Sequence, residues 1–393
     1  MEIVTRNVNT AFKSLVTTFK DRVGVVEDSS RNGPVLKIEE PVMIRYTHPK
    51  ERVLINYNRN ANPFLHMYEA LWMIDGRNDV GSLAFYAKNM LNYSDDGITM
   101  NGAYGYRWRY GHTYEDCTQY CTQCGTKEET ICASSVDQLE ILIDHLTHMP
   151  ESRRAVLQMW NVEDDLLKIG LKECGRCGGS GCYQCDKGGG DYKSGETGSK
   201  DVCCNLSVIF SIRDCSGWNS IHDEHQELHY LDMTVFNRSN DLIWGTLGAN
   251  AVHFSFLQEY MANMLGVEVG YYNQISNNLH VYLNNFDPLL WLETCGECIE
   301  TRDFKLVENK ATFRKELQYV LDRYKSVSEN DHSAPLNMDH DNCFLDFICI
   351  PMFEAFRAYK LKDKNMTKLW MSKIEHRDWQ LACAYWITKR GGM

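Results

Sequence analysis

Apolar and polar residues alternate along several short stretches of the chain, which is typical of strands with one buried face. The clearest stretch is HYLDMTVFN at 229–237, in which Leu231, Met233 and Val235 share one side. Further strands are predicted at 35–48, 154–161 and 206–213. The chain therefore contains the strands of at least one sheet.

Longer amphipathic or apolar stretches predict helices between these strands. PFLHMYEALWMID at 63–75 has a proline in its first turn, and Gly76 follows as a stop signal. Ser135 and Gln138 are spaced as a capping box for a second helix over 136–149.

A third helix is predicted over 251–265, with Asn250 as its N-cap and Gly266 as its end. From about residue 301 onward the pattern is mainly helical. Because the helices are segregated around a sheet, we predict an α+β fold with a mixed β-sheet packed by helices. Two polar, cysteine-rich stretches at about 110–134 and 162–202 are interpreted as insertions.

Composition and charge exclude some classes of protein. A formal net charge of −12 argues against broad nucleic-acid binding, which needs a basic face. There is no run of 18 apolar residues and no apolar signal region at the start, so we expect no membrane span and an intracellular protein. The 16 cysteines are then expected as thiols, metal ligands or catalytic groups rather than disulfides.

Two cysteine clusters have the spacing of metal ligands. The stretch KECGRCGGSGCYQC has the pattern C-x2-C-x4-C-x2-C, which predicts a tetrahedral structural zinc site formed by Cys174, Cys177, Cys182 and Cys185. A less regular cluster predicts a second site from Cys117, Cys121, Cys124 and Cys132. The two clusters are also able to exchange pairs, and a glycine-rich loop with free thiols is the simpler alternative. Metal binding would supply the folding free energy that such small insertions lack.

Two adjacent cysteines, Cys203 and Cys204, stand immediately before the strand at 206–213. They are poorly placed to bond to each other or to chelate a metal. Either both are core residues, since free cysteine is among the most buried residue types, or one is a nucleophile at a strand end.

Several charged residues lie where core or loop is expected. Arg153 and Arg154 begin one strand, and Arg238 with Ser239 follows another; guanidinium groups beside a hydroxyl suggest a phosphate pocket, although solvated surface arginines are the alternative. Glu69 lies on an apolar face of its helix. Desolvation there would raise its pKa toward the range useful for proton transfer, unless a buried basic or hydroxyl group is its partner.

Together these residues resemble a known family. Seven motifs occur in order, namely YEALWMIDG, NGAYGYRWR, ESRRAVLQMWN, CCNLSVIFSIRD, FNRSNDLIWG, GANAVHFSFLQEYMANMLGVEVG and NLHVYLNN. The chain is similar in these motifs to the thymidylate synthase and pyrimidine nucleotide hydroxymethylase superfamily. The resemblance covers about residues 30–290 and implies a catalytic domain at 1–300, followed by a helical extension at 301–393.

The resemblance implies a nucleophile at Cys204, whose thiolate adds to C6 of a pyrimidine nucleotide so that C5 attacks the one-carbon unit of methylenetetrahydrofolate. It implies phosphate binding by Arg238, Ser239 and, from the other subunit of a homodimer, Arg153 and Arg154. The remaining implied residues are Arg31 for phosphate, His280 and Tyr282 for the sugar hydroxyls, Glu69 and Tyr104 for proton handling at the base and the folate, and Asp241 facing the pterin. Cys203 has no implied chemical role.

The side chain of Asn250 matches the position that contacts the base. An amide accepts a hydrogen bond from N3–H and donates one to O4, which suits uracil, whereas cytosine-specific relatives have aspartate there. We therefore expect deoxyuridylate (dUMP) as the substrate.

Four differences from the synthases favour water over hydride in the last step. Asn205 replaces the histidine after the nucleophile, the aliphatic closing tail is absent, LAFYAKNMLNYSDDG replaces the folate-walling tryptophan segment, and DGITMNGAYG and RSND are closer to the hydroxymethylases. A wetter site with Glu69 as base suits hydroxymethylation. We expect a phage-type hydroxymethylase in the cytoplasm of an infected bacterium. The alternatives are thymidylate synthase, a cytidylate hydroxymethylase, and a non-catalytic zinc-stabilised nucleotide- or RNA-binding regulator.

Overall fold

A computed structural model describes most of the 393-residue chain. The described residues are 1–30, 33–111, 113–115, 133–162, 164–165, 199–214, 229–299, 302–327, 336 and 341–392. Both cysteine-rich clusters, and the zinc sites predicted in them, lie outside these ranges. No helix in the described part of the chain is both long and apolar enough to cross a membrane.

The strands form two main sheets and one small hairpin. In chain order they are β1 Glu2–Thr5, β2 Val25–Ser30, β3 Gly33–Ile38, β4 Val42–Tyr46, β5 Thr113–Glu115, β6 Ala133–Ser135, β7 Val156–Gln158, β8 Asn205–Asp214, β9 His229–Asn237, β10 Asn240–Asp241, β11 Glu268–Ser276 and β12 Leu279–Tyr282. The central sheet has the order β1-β4-β11-β9-β8-β7, and a second sheet has the order β10-β12-β3-β2. The central sheet is mixed, because β9 pairs in parallel with β11 and antiparallel with β8.

Helices surround this sheet and complete the predicted α+β fold. They are α1 Val8–Lys20, α2 Pro63–Asp75, α3 Val80–Tyr86, α4 Tyr104–Tyr110, α5 Gln138–His148, α6 Asn250–Leu265, α7 Pro288–Glu293, α8 Phe313–Tyr324, α9 Ile350–Lys360, α10 Lys364–Ser372 and α11 Arg377–Thr388. A π-helical segment, Leu242–Ala249, leads into α6 with a kink at Gly248. The mainly helical C-terminal region predicted from the sequence is confirmed.

The ends of α2, α5 and α6 test the predictions made from local sequence patterns. Helix α2 spans the predicted residues and ends at Gly76, whose φ of 83° is in the left-handed region that glycine adopts without strain. The predicted capping box before α5 is wrong, because Asp137 caps this helix by accepting from the backbone N–H groups of Leu139 and Glu140. The predicted cap at Asn250 is also wrong, since this residue already belongs to α6 and its side chain does not cap the helix.

The central sheet has one buried face and one partly open face. Leu231, Met233 and Val235 of β9 are fully buried, which confirms the predicted alternation. On the opposite face Val156 is 45% exposed, and Ile209 and Tyr271 are each 37% exposed. The sheet therefore presents apolar side chains on the face that the helices of this chain do not cover, within the part of the chain that the structure describes.

The C-terminal helices share the hydrophobic core of the catalytic region. The ring of Phe353 on α9 lies 5.7 Å from Tyr68 of α2 and 5.4 Å from Tyr324 of α8. Tyr68 also donates a hydrogen bond to the backbone oxygen of Leu321 at 3.1 Å. Because α2 carries Glu69, these contacts connect the extension directly to the position of a predicted catalytic residue.

We expect Phe353→Ala to destabilise the whole fold by about 3–5 kcal/mol, since it removes a buried aromatic ring between three helices. The matched control is Leu369→Ala on α10, where a side chain that is 45% exposed should cost only about 0.5 kcal/mol. Urea unfolding of both variants measures the difference. Equal stability of the two variants would show that the extension does not contribute to the common core.

Candidate active site

The antiparallel pairing of β8 and β9 brings the predicted nucleophile next to an arginine. Cys204 immediately precedes β8, and Arg238 immediately follows β9. Nη2 of Arg238 lies 3.8 Å from the Cys204 sulfur, while its Nε donates to the backbone oxygen of Cys203 at 2.8 Å. The ring of Trp160 lies 5.5 Å from the guanidinium carbon. A fixed positive charge beside the sulfur favours its thiolate form, which is the nucleophilic form.

Cys203 and Cys204, for which the sequence left a core role and a nucleophile role open, have different environments. Cys203 is 1% exposed and directs its sulfur to the backbone oxygen of Gly102 at 3.7 Å. Burial raises the pKa of the Cys203 thiol well above its usual value. Cys204 is only partly buried. The core interpretation therefore applies to Cys203, and Cys204 is the cysteine with the accessible sulfur.

Asn205 does not line the cavity described below. It is fully buried at the start of β8, and its Nδ2 donates to Oδ1 of Asn237. The side chain of Asn237 in turn donates to the backbone oxygen of Ile275 at 2.9 Å. In this structure Asn205 therefore joins neighbouring strands behind the nucleophile.

Asn250 is held by a second amide. Its Nδ2 donates to Oδ1 of Asn240 at 3.1 Å, and Nδ2 of Asn240 donates to the Ser276 hydroxyl at 3.2 Å. Gly245 lies directly against this pair, since a Cβ there would overlap Oδ1 of Asn240. These contacts fix the amide of Asn250, so that its orientation is determined before any ligand binds.

Three further predicted residues lie together at the edge of the second sheet. Asp241 of β10 is in register with His280 of β12, and the rings of His280 and Tyr282 lie 5.3 Å apart. Oδ1 of Asp241 accepts from the backbone N–H groups of Ile243 and Trp244 at 2.9 and 2.5 Å. Burial raises the pKa of Asp241, and these hydrogen bonds oppose that shift.

Helices α2, α4 and α6 enclose a cavity of about 590 Å³, which is within the usual size range for small-ligand sites. Its lining includes Glu69, Tyr104 and Asn250 from the predicted set. Other lining residues were not predicted; they include Arg59, Trp72, Asp201, Trp244, His253, Trp386 and Arg390.

The carboxyl group of Glu69 lies in this cavity with its side chain 18% exposed, and no lysine or arginine in the described part of the chain forms an ion pair with it. Burial, with a smaller contribution from the charge of Asp201, raises its pKa to about 8. Nε2 of His253 lies 3.4 Å from Oε2 of Glu69, but burial holds the pKa of His253 well below its usual value. At neutral pH both groups are therefore uncharged, and Glu69 is a proton donor poised near physiological pH.

Tyr104 connects the cavity to the nucleophile. Burial raises the pKa of its hydroxyl well above its usual value, as do the nearby cysteines and Asp201, while a hydrogen bond with the Cys204 backbone opposes the shift. Tyr104 is the first residue of α4 and lines the cavity.

The other side of the cavity is aromatic and cationic. The guanidinium of Arg59 lies 4.7 Å from the ring of Trp244 and donates to the backbone oxygen of Ile243. From the turn after α11, Arg390 lies 3.9 Å from the ring of Trp386 and donates to Oδ1 of Asn60 at 2.7 Å. No local motif marks Trp386 or Arg390, because the two residues reach this wall only through the packing of α11.

Arg153 and Arg154 lie far from this site within the same chain. Both are exposed, and the neighbouring Ala155 pairs with Phe210 through a backbone hydrogen bond of 3.0 Å. Phe210 is six residues along β8 from Cys204, which corresponds to about 20 Å at the usual rise per residue. The predicted phosphate ligand Arg31 lies outside the described residues.

Comparison with known proteins shows the family of this chain. The family model for thymidylate synthase matches residues 12–177. The chain is 36% identical to the deoxyuridylate hydroxymethyltransferase of Pseudomonas phage M6, over 99% of this chain and 94% of that protein. It is 34% identical to the deoxyuridylate hydroxymethyltransferase of Bacillus phage SP01, over 70% of this chain and 59% of that protein. The thymidylate synthase of equine herpesvirus 2 is 26% identical, over 56% of this chain and 62% of that protein. The chain belongs to the thymidylate synthase family.

Proposed function

We propose that this protein transfers a one-carbon unit from 5,10-methylenetetrahydrofolate to C5 of dUMP and adds water, which gives 5-hydroxymethyl-dUMP. The observation that carries the proposal is the arrangement of the Cys204 sulfur beside Arg238, with the desolvated Glu69 in the adjoining cavity. The near full-length similarity to a phage deoxyuridylate hydroxymethyltransferase supports the same reaction.

The proposed reaction begins with addition of the Cys204 thiolate to C6 of the uracil. This bond moves the electrons of the C5–C6 double bond onto C5 and O4, so that C5 becomes a nucleophile. The folate supplies the electrophilic one-carbon unit when bound. Tyr104, which bridges the cavity and the Cys204 backbone, and Glu69 are the groups placed to hold and move protons during these steps.

The proposed base selectivity depends on the fixed amide of Asn250. Its Nδ2 already donates to Asn240, and the Asn240 amide is itself oriented by Ser276. This chain of hydrogen bonds fixes which edge of Asn250 presents its oxygen and which presents its nitrogen. The second N–H of the Asn250 amide suits O4 of uracil, which accepts a hydrogen bond. The oxygen of the Asn250 amide suits N3–H of uracil, which donates one. We assign sugar-hydroxyl contacts to His280 and Tyr282, and pterin contact to Asp241.

The cavity has the chemistry that a folate needs. Trp72, Trp244 and Trp386 supply flat apolar surfaces for pterin and p-aminobenzoyl rings. Arg59 and Arg390 supply positive charges for the glutamate carboxylates. Trp386 lies on α11 and Arg390 follows that helix, so the C-terminal region supplies part of the cavity wall.

We propose a homodimer in which each phosphate site receives Arg153 and Arg154 from the partner. Within one chain these arginines are about 20 Å of strand away from the nucleophile, too far to reach the same nucleotide. Two copies would pack together through the open face of the central sheet, where Ile209 and Tyr271 are exposed. This packing would bury the face and place Arg153 and Arg154 of each copy at the phosphate site of the other.

Structural zinc in the two cysteine clusters stays a prediction. Among the described residues no group of three or more metal-ligating side chains is present, and the candidate cysteines lie in the undescribed insertions. Four-thiolate coordination is the arrangement that their spacing predicts.

Incubation of the protein with dUMP and methylenetetrahydrofolate should add one CH2O unit to the nucleotide without forming dihydrofolate. Mass spectrometry identifies the product, and absorbance follows dihydrofolate. Cys204→Ala should abolish turnover. A gain of one CH2 unit together with dihydrofolate would identify a thymidylate synthase instead, and turnover of dCMP but not dUMP would contradict the role of Asn250.

The value of kcat/KM for dUMP should decrease as the pH rises through about 8. The reason is that Glu69 donates a proton only below its raised pKa, and loses it above that pKa. Glu69→Gln should lower the rate by about 10²- to 10⁴-fold and remove this basic limb, since glutamine cannot ionise. His253 and Asp201 face the same carboxyl, so persistence of the limb in the variant would assign it to one of them.

Mixing two inactive variants tests the shared site. A Cys204→Ala subunit paired with an Arg153→Ala/Arg154→Ala subunit contains one intact site only if the arginines act across the interface. Reassembly from equal amounts should then recover about a quarter of the wild-type rate. The matched control pairs Cys204→Ala with Glu69→Gln, which lie in one subunit's site, and this mixture should stay inactive. Equal inactivity of both mixtures would contradict the exchange.

A further inference from the structure

Asp201 is a partly buried carboxylate in the wall of the cavity, three residues before the nucleophile. Its Oδ2 accepts the backbone N–H of Gly102 at 2.7 Å, and its backbone oxygen accepts from Nδ2 of Asn101 at 3.0 Å. Gly102 approaches the carboxylate so closely that a Cβ there would lie 3.0 Å from Oδ1. The loop at 101–102 therefore holds Asp201 in one position.

The cavity contains a second carboxyl group, that of Glu69. The two groups are close enough for the charge of Asp201 to contribute to the raised pKa of Glu69. The pKa of Asp201 is itself raised by burial, but the Gly102 hydrogen bond and the charge of Arg107 oppose that shift. In the described part of the chain no backbone N–H or arginine lowers the pKa of Glu69 in this way, so the surroundings of Asp201 favour its carboxylate form more than those of Glu69 do.

The last step of the proposed reaction needs a base. After the one-carbon transfer, the nucleotide has an exocyclic methylene at C5 and a C6–S bond to Cys204. The water oxygen bonds to the methylene carbon, the water proton passes to a base, and the electrons of the exocyclic double bond move to O4. Collapse of this enolate reforms the C4 carbonyl and the C5–C6 double bond, and the C6–S bond breaks to return the thiolate. A protonated Glu69 cannot accept the water proton.

We propose that Asp201 positions and deprotonates the water that captures the methylene, and so makes hydroxymethyl rather than methyl the product. This inference rests on the proposed function and deepens it. Asp201 and Tyr104 both line the cavity, and Tyr104 shares a hydrogen bond with the backbone of Cys204, which is three residues after Asp201 in the chain. A carboxylate held at this position gives the water a hydrogen-bond acceptor next to the reacting carbon.

The test uses Asp201→Asn in the full-length protein with dUMP tritiated at C5. Asparagine keeps an oxygen for the Gly102 N–H, so the loop should stay in place, but it is a much weaker base. Tritium release reports the steps up to one-carbon transfer, and mass spectrometry reports the final product. We expect tritium release within about threefold of wild type, a fall of about 10²-fold or more in hydroxymethyl product, and capture of the methylene as a thioether when 2-mercaptoethanol is added.

The matched control is Asp95→Asn, an exposed carboxylate that binds the same segment through Ser199 and Lys200 from outside the cavity. This variant should keep the wild-type ratio of product to released tritium. An equal loss of tritium release and product in Asp201→Asn would mean that the residue has only a structural role. Unchanged water capture in that variant would also overturn the proposal. If the wild-type protein releases no tritium from dUMP, the proposed function itself fails, which is a different result from either.

Discussion

The site depends on the antiparallel register of β8 and β9. Pairing of Asn205 with Asn237 places the residue before one strand beside the residue after the other. Cys204 and Arg238 therefore meet at one end of these two strands. The backbone N–H of Arg238 donates to the backbone oxygen of Cys204, and its Nε donates to the backbone oxygen of Cys203, which fixes the guanidinium relative to the sulfur. A slip of one residue in this register would reverse the facing of the side chains and separate the pair.

The second constraint on the site is that the carboxyl of Glu69 is desolvated and forms no ion pair with a described lysine or arginine. The helices that line the cavity desolvate the carboxyl of Glu69, and no cation in the described part of the chain neutralises it, so burial raises its pKa to about 8. His253 is buried beside it and stays uncharged for the same reason. Asp201 differs because a backbone N–H and the charge of Arg107 favour its ionised form. The two carboxyl groups thus have different electrostatic surroundings, because of the two only Asp201 has groups that oppose the effect of burial on its pKa.

The C-terminal helices have a structural role and contribute to the cavity. Phe353 fills the space between α2, α3 and α8, and Trp386 packs edge-on against Phe64 of α2. The same helix that supplies Trp386 places Arg390 at the cavity wall. The extension is therefore continuous with the core of the catalytic region, and α2 is the helix through which stability and chemistry are connected.

The sequence by itself determined the elements and the residue types that need only local information. The spacing of apolar residues predicted α2 and β9. Gly76 and Gly266, which have left-handed backbone conformations, end α2 and α6. The ordered motifs identified Cys204, Glu69, Tyr104 and Asn250. The predicted caps at Ser135 and Asn250 were wrong, because Asp137 caps α5 and Asn250 lies inside α6 with its amide donating to Asn240, and local spacing does not distinguish these alternatives. Only the tertiary structure decided that Asp201, Trp386 and Arg390 reach the cavity and that Arg153 and Arg154 do not. Each of those outcomes depends on contacts between residues far apart in the chain, whereas the spacing of apolar residues reports only on positions close together in the sequence.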